Sequence, residues 1–376
     1  MGSSQKLGHI DHQPAILPMN EAPLVSIIIP HFNRSLLLVE TLASVYKQTY
    51  ANWEVIIVDD GSRDDELSAV ERLTNARVRV LIRTDGEKGP SRCRNLGAQA
   101  AKGKFLLFLD SDDLLAPWCL ESRVQLLQCG NADAVILPVA IFRKNPGDER
   151  ALWNDLNGDN DIDRFTISDP VWHTSSPLWM RNHFLLKGGF NERVMYGDDS
   201  ELHLRCLLNN SKFRKFPHEL PDAFVRRAEQ ERITGSITNL LIQSRRIRLE
   251  VGSDVVEQSG RNELCELWQS QYVAECEFLL FNAPQAKSAC NEVIADWNKR
   301  WSIYPIARKM FQSYINLGWK TRDKARIVLR VARRLIIHTT PRCYYPRVRC
   351  MDRYLSDTTL IELRAKLNPH VEKHAH

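Results

Sequence analysis

The chain has 376 residues, 43% of them apolar, with 51 Lys/Arg against 46 Asp/Glu and a formal net charge of +5. That composition excludes a disordered polypeptide and provides a substantial core, in about two domains by length. Nine scattered cysteines, odd in number and without a Cys-x-x-Cys pair, exclude a disulfide framework or structural zinc site and point to a reducing compartment.

Residues 1–22 mix Ser, Gln, His, Asp and Pro without the apolar stretch of a signal peptide, and are expected to form a flexible tail. Met1-Gly2-Ser3-Ser4 begins like a myristoylation site, but Lys6 stands where Ser or Thr is required. No apolar run reaches the roughly eighteen residues of a transmembrane helix.

Leu24-Val25-Ser26-Ile27-Ile28-Ile29-Pro30 is a β-branched run closed by a proline, as in a buried parallel strand ending at its carboxyl edge. After the polar turn His31-Phe32-Asn33-Arg34, Ser35 can cap a helix carrying Leu38, Leu42, Val45 and Tyr46 at helical spacing. Glu54 to Val58 predicts a second strand delivering Asp59-Asp60-Gly61-Ser62, then a helix from Asp64 to Thr74 and a third strand from Arg77 to Ile82. Gly89-Pro90-Ser91 opens a helix with proline where a missing N–H costs nothing, and places Arg92 and Arg94 in its first turn.

Phe105 to Leu109, entered from Lys104, is a continuous apolar strand that runs into Asp110-Ser111-Asp112-Asp113. Carboxylates so crowded repel one another unless water or a cation lies between them. A helix around Pro117 to Gln128 and a fourth strand from Ala132 to Val139 follow. Alternation of this kind predicts an α/β domain with a mainly parallel sheet, whose ligands bind outside the carboxyl ends of the strands. Phe142 to Asn182 reads as loops over a cleft, with Trp153, Trp172 and Trp179 interspersed. Gly197 is then a turn, and Asp198-Asp199 stand at a helix start favoured by the helix dipole.

Past about Ile233 the composition is helical, which places a boundary near residues 229–236: a domain over 23–232 and a helical region over 233–376. Between Lys320 and Arg353 there are eleven Lys/Arg against two Asp, leaving residues 1–319 at −4. Arg322, Arg326, Arg330 and Arg334 recur every four residues with apolar neighbours. Such a helix fits an anionic membrane surface, or packs as a plain amphipathic helix with a solvated arginine face. No nucleic-acid recognition motif accompanies the charge, so nucleic acid is not expected as a partner.

Each acidic constellation has a bland alternative. Asp110-Ser111-Asp112 is a cation and phosphate element or an acidic turn; Asp59-Asp60 accepts hydrogen bonds from a nucleoside or only closes a loop. Arg94 is a phosphate clamp or a solvated helix charge, and Asp198-Asp199 an acid–base pair or helix-terminal compensation.

In combination, VSIIIPHFNR (25–34), EVIIVDDGS (54–62), GPSRCRNLGAQAAKGKFLLFLDSDD (89–113) and YGDDSELHLR (196–205) resemble, in order and spacing, the family 2 glycosyltransferases. The resemblance covers about residues 23–230 and implies a GT-A fold: a Rossmann-like, mainly parallel sheet flanked by helices. It implies an inverting transfer of sugar from a nucleoside-diphosphate sugar, UDP-linked above all, to a hydroxyl of a glycan or lipid-linked acceptor. By the same resemblance, Pro30 and Phe32 line the nucleobase pocket, Asp60 binds the base, and Arg94 and Ser111 lie at the nucleotide. Asp110 and Asp112 match the DxD motif, with Asp112 the direct ligand of Mn²⁺ or Mg²⁺. Asp199 matches the catalytic base. Asp198 stands where the family has Glu, and Trp172, His173 and Trp179 fall where members contact acceptors. The implied location is cytoplasmic, peripheral at the inner face of the cytoplasmic membrane. A catalytically silent nucleotide-sugar or polyanion-binding module is the rival reading; the oligomeric state is left open.

Overall fold

A computed structural model describes residues 22–84, 86–153, 155–227, 239–283, 285–301, 304–321, 332–333 and 353–368. The expected tail up to residue 21, the boundary near 229–236 and nearly all of the basic segment 320–353 lie outside these residues.

β1 (Val25–His31) pairs in parallel with β2 (Trp53–Asp59) and β4 (Phe105–Phe108), and β2 pairs in parallel with β3 (Val78–Ile82). Period-two alternation divides these strands between two apolar layers. Ile28, Ile56, Val58, Leu106 and Phe108 face one layer, while Ile27, Ile29, Val55, Ile57, Phe105 and Leu107 face the other. Helices α1 (Ser35–Tyr46), α2 (Asp64–Glu71) and α4 (Cys119–Gln128) contribute to the second layer. The first layer receives α3 (Pro90–Ala100), whose Gly97 lies so near β1 that a Cβ there would stand 2.3 Å from Ile28 Cγ2. This close approach fixes the depth at which α3 presents its arginine to the strand ends.

The sheet continues through β8 (Pro177–Met180), β6 (Ala134–Ile136) and β9 (Phe213–Lys215), giving seven strands in the order β3-β2-β1-β4-β8-β6-β9. β8 runs antiparallel to both neighbours. It lies inside the span read from sequence as loops, because four residues are too short to display a period. The expected fourth strand is also divided: Ala134–Ile136 stays in the large sheet, while β7 (Val139–Phe142) joins β10 (Ala223–Arg226) and β5 (Leu114–Leu115) in a small one. Pro138 separates the halves and has no N–H to offer a ladder.

Helices α5 (Asp161–Thr166) and α6 (Arg181–Leu186) flank β8, and α7 (Asp198–Leu208) follows a glycine turn. The C-terminal region supplies α8 (Asn239–Gln258), α9 (Asn262–Asn282), α10 (Lys287–Arg300) and α11 (Pro305–Thr321). Their apolar faces share one continuous core with α7 and the large sheet, through Trp172, Leu202, Leu204, Leu249 and Trp268. The last helix among the described residues, α12 (Asp357–Leu367), returns to the small sheet, where Leu355, Leu360 and Leu363 pack with Phe142 and Phe224.

Candidate active site

Register aligns the carboxyl ends of β1 and β2, pairing Pro30 with Val58 and His31 with Asp59. The Arg34 N–H donates to His31 Nε2 at 3.2 Å, so His31 carries its proton on Nδ1 and donates it to Asp59 at 2.8 Å. Asp59 also accepts from Ser62 Oγ at 2.6 Å and from the backbone N–H groups of Gly61 and Ser62. Burial works to raise the Asp59 pKa, but these donors prevail and hold it below the ordinary carboxylate range. Asp59 is thus an internal brace, and Asp60 faces the next loop, paired with Arg83 and accepting from the Gly89 N–H at 2.7 Å. Phe32 is 45% exposed, with the Lys88 ammonium 4.1 Å from its ring centroid, an open aromatic face at the rim of the strand ends.

At the end of β4 the carboxylates diverge. Asp112 accepts from Arg34 Nη1 at 2.8 Å. Asp113 is buried and accepts from the Arg226 N–H at 3.0 Å, tying the acidic turn to β10. Asp110 accepts from Arg94 Nη2 at 2.7 Å. Ser111, between them, is buried. Asp110, Asp113 and His173 each offer one ligand atom, all within 4.8 Å of one another, a spacing that could hold a divalent cation. Two carboxylates and an imidazole suit Mn²⁺ and leave room for phosphate oxygens. Of the expected pair, Asp110 belongs to this group, while Asp112 accepts from Arg34.

Across from this turn, Gly197 (φ 71°) precedes α7 in the left-handed conformation that glycine adopts without strain. Asp198 accepts from Ser91 Oγ and from Arg94 Nη1, both at 2.8 Å. Asp199 accepts from Thr174 Oγ1 at 3.1 Å and from the Ser200 N–H at 2.8 Å. Arg94 itself is 5% exposed and joins the end of β4 to the start of α7. Burial raises the pKa of both Asp198 and Asp199, against the opposing pull of Arg94. Burial acts in the same sense on Asp110, but the charges of Arg94 and His173 outweigh it and its pKa falls. One arginine therefore serves carboxylates whose environments drive them in opposite directions, the pattern of an acid–base site.

His173 and Thr174 are consecutive and reach the two halves of the site, His173 toward Asp110 and Asp113, Thr174 to Asp199. Sequence reading singled out His173 and named Asp113 only as part of the crowded acidic turn, and did not single out Thr174, Arg34 or Ser91. Their roles depend on loop geometry, and only the adjacency of Thr174 to His173 and of Ser91 to the α3 arginines hinted at them. Trp172 and Trp179 correct the expected acceptor contacts. They are 0% and 1% exposed, packed with His203 and Phe213, and present no surface to a ligand. Indole rings in a strand and its preceding loop gain more from burial in an aromatic core.

Residues 26–190 match the family model described as glycosyl transferase family 2. The chain is 37% identical over 115 residues to Glycosyltransferase GlyG of Streptococcus pneumoniae serotype 4, a stretch covering 30% of this chain and 38% of that protein. It is 37% identical over 108 residues to the Escherichia coli UDP-Glc:alpha-D-GlcNAc-diphosphoundecaprenol beta-1,3-glucosyltransferase WfgD, covering 29% of this chain and 42% of that protein. The matched stretch thus spans less than half the length of these curated relatives. In fold, the chain is similar to the S. aureus TarS structure in complex with UDP-GlcNAc, with TM-score 0.62 and 16% identity over 82% of this chain and 91% of that one.

Proposed function

Given that the chain carries a family 2 glycosyltransferase domain of GT-A type, we propose that it moves a sugar from a nucleoside-diphosphate sugar to an acceptor hydroxyl in one inverting displacement. The observation that carries this reading is the bridge through Arg94. A cation-fitted carboxylate, Asp110, and the start of the helix bearing Asp199 are held on one buried guanidinium. Leaving-group stabilisation and proton removal need such fixed separation within one cleft.

Pro30 and the open ring of Phe32 flank the nucleobase, with Asp60 as hydrogen-bond acceptor held from behind by Arg83. Asp110, Asp113 and His173 would hold a divalent cation, Mn²⁺ or Mg²⁺, which supplies charge neutralisation to the departing diphosphate. Arg94 and Ser111 lie at that end of the nucleotide. Asp199 accepts the acceptor hydroxyl's proton on a carboxylate oxygen that burial has made more basic, while Thr174 and the Ser200 N–H fix its orientation. Asp198, whose Oδ2 accepts from both Ser91 and Arg94, orients the start of α7 and borders the acceptor side with His173.

A UDP-sugar donor and a lipid-linked acceptor are the favoured substrates, supported by what the Escherichia coli relative acts on and by the nucleotide sugar in the TarS complex. A polyprenol-linked acceptor is held in a membrane, which favours work at a membrane face, and no described helix is long and apolar enough to cross one. The test is incubation with UDP-glucose or UDP-GlcNAc, Mn²⁺ and a diphosphate-polyprenol acceptor. UDP release that requires the acceptor supports the reading, and saturable nucleotide binding with no transfer from any donor in a nucleotide-sugar panel returns the chain to a silent binding module.

A further inference from the structure

Helix α5 is closed by a serine where the backbone calls for glycine. Ser168 takes φ 57°, its N–H donates to the Phe165 carbonyl at 3.1 Å, and the Asp169 N–H donates to the Arg164 carbonyl at 2.8 Å. This is the left-handed helix stop that glycine adopts freely and a side chain resists. What serine adds is a hydroxyl, and the helical C-terminal layer uses it. Ser168 Oγ donates to Oε1 of the buried Gln271 of α9 at 2.5 Å and accepts from Arg248 Nη1 of α8 at 2.9 Å. The ion pairs of the described residues leave Arg248 without a carboxylate, because the nearby Glu275 is taken by Arg245 at 2.8 Å. Its Nε is buried and has no hydrogen-bond partner among the described residues. A half-buried cation without a counter-charge is a poor source of stability.

The stem of Arg248 lies over Gly197, where a Cβ would stand 3.0 Å from Arg248 Cδ. One side chain therefore touches both the turn that starts α7 and the corner from which residues 169–174 run to the site. The two segments meet again where Thr174 Oγ1 donates to Asp199 at 3.1 Å. Asp169 is anchored separately, by Arg164 at 2.9 Å and by Arg353, so Ser168 is what joins this segment to the residue that covers Gly197. We propose that Arg248 is a positioning residue for the site: through Ser168 and Gly197 it sets residues 169–174 against the start of α7, so that Thr174 meets Asp199 while His173 faces Asp110 and Asp113. The proposal rests on the reading of Asp199 as the base, and it makes the helical layer part of the catalytic unit.

The test is hydrogen exchange, read by mass spectrometry on the full chain without substrate, together with melting temperature and the steady-state kinetics of sugar transfer. Ser168→Gly removes the hydroxyl and keeps the backbone, since glycine takes the positive φ without strain, so the melting temperature should hold or rise. Exchange over residues 169–176 should nonetheless quicken by about tenfold. kcat should fall by about tenfold with donor KM within about twofold, because the nucleotide end is untouched. Arg248→Met should act in the same direction, whereas Arg248→Lys should retain most of the natural kcat, because a single donor to Ser168 is needed. Exchange in the glycine and methionine variants equal to that of the natural chain would overturn the proposal, whether or not transfer is detected. Quickened exchange with kcat unchanged would overturn it as well, reducing the contacts to scaffolding. Absence of transfer by the natural chain strikes the proposed function itself, and exchange then still decides the positioning.

Discussion

Arg94 Nη1 donates to Asp198 Oδ2 at 2.8 Å, and the other arm of the same guanidinium reaches Asp110 at 2.7 Å. The start of α7 and the end of β4 are far apart in sequence, so this one side chain defines their separation. Removing it leaves the buried Asp198 and the partly buried Asp110 without their cation, a loss of about 3–5 kcal/mol for the broken buried pair. Arg94→Ala should lower the melting temperature and abolish transfer. Arg94→Lys should keep the charge and still lose most activity, because an ammonium does not reproduce the two-armed geometry. An unchanged melting temperature in the alanine variant would contradict the bridge.

Asp199→Asn should bind donor nucleotide as the natural chain does while transfer falls by about 10²–10⁴-fold, the usual contribution of a positioned base. A base with a raised pKa is protonated, and silent, below that value. The acid limb of kcat/KM should therefore lie above the ordinary aspartate value of 3.8. A rate profile flat to below that value would remove Asp199 from the role.

The cation site separates Asp112 from its neighbours. In a Mn²⁺ titration followed by thermal shift, His173→Ala and Asp113→Asn should weaken the metal by about 10–100-fold or more. Asp112→Asn, which severs the Arg34 contact, should weaken it far less. If Asp112→Asn alone removes the cation response, the ligand role returns to the outer aspartate of the DxD motif.

His203 lies among Trp172, Trp179, Phe165 and Phe213, and burial pushes its pKa down from 6.5 to about 3. Its Nδ1 has no hydrogen-bond partner among the described residues. The folded state binds this proton less readily than the unfolded one. The neutral core is therefore fully favourable above pH 6.5 and loses stability as pH falls toward 3. His203→Leu should narrow the difference in melting temperature between pH 8 and pH 5, as followed by circular dichroism. An unaltered pH dependence would place the acid-sensitive group elsewhere.

What the sequence by itself determined was whatever local pattern could carry. Val25 to His31, Trp53 to Asp59 and Phe105 to Phe108 are apolar enough to be buried on both faces, so they had to be central strands with polar residues delivered at one edge. The order of motifs around Asp60, Arg94, Asp110 and Asp199 then sufficed for the likeness to the family 2 glycosyltransferases. Tertiary structure alone decided how neighbouring carboxylates divide their tasks. Asp112 and Asp113 are adjacent in sequence, yet one meets Arg34 and the other lies with His173, because side chains at the end of a strand leave in different directions. It also decided that Trp172 and Trp179 are core, since β8 is a four-residue strand whose place between β4 and β6 depends on long-range pairing. Partners brought together by a fold leave no period in the chain, so the bridge through Arg94 could be read only from the folded molecule.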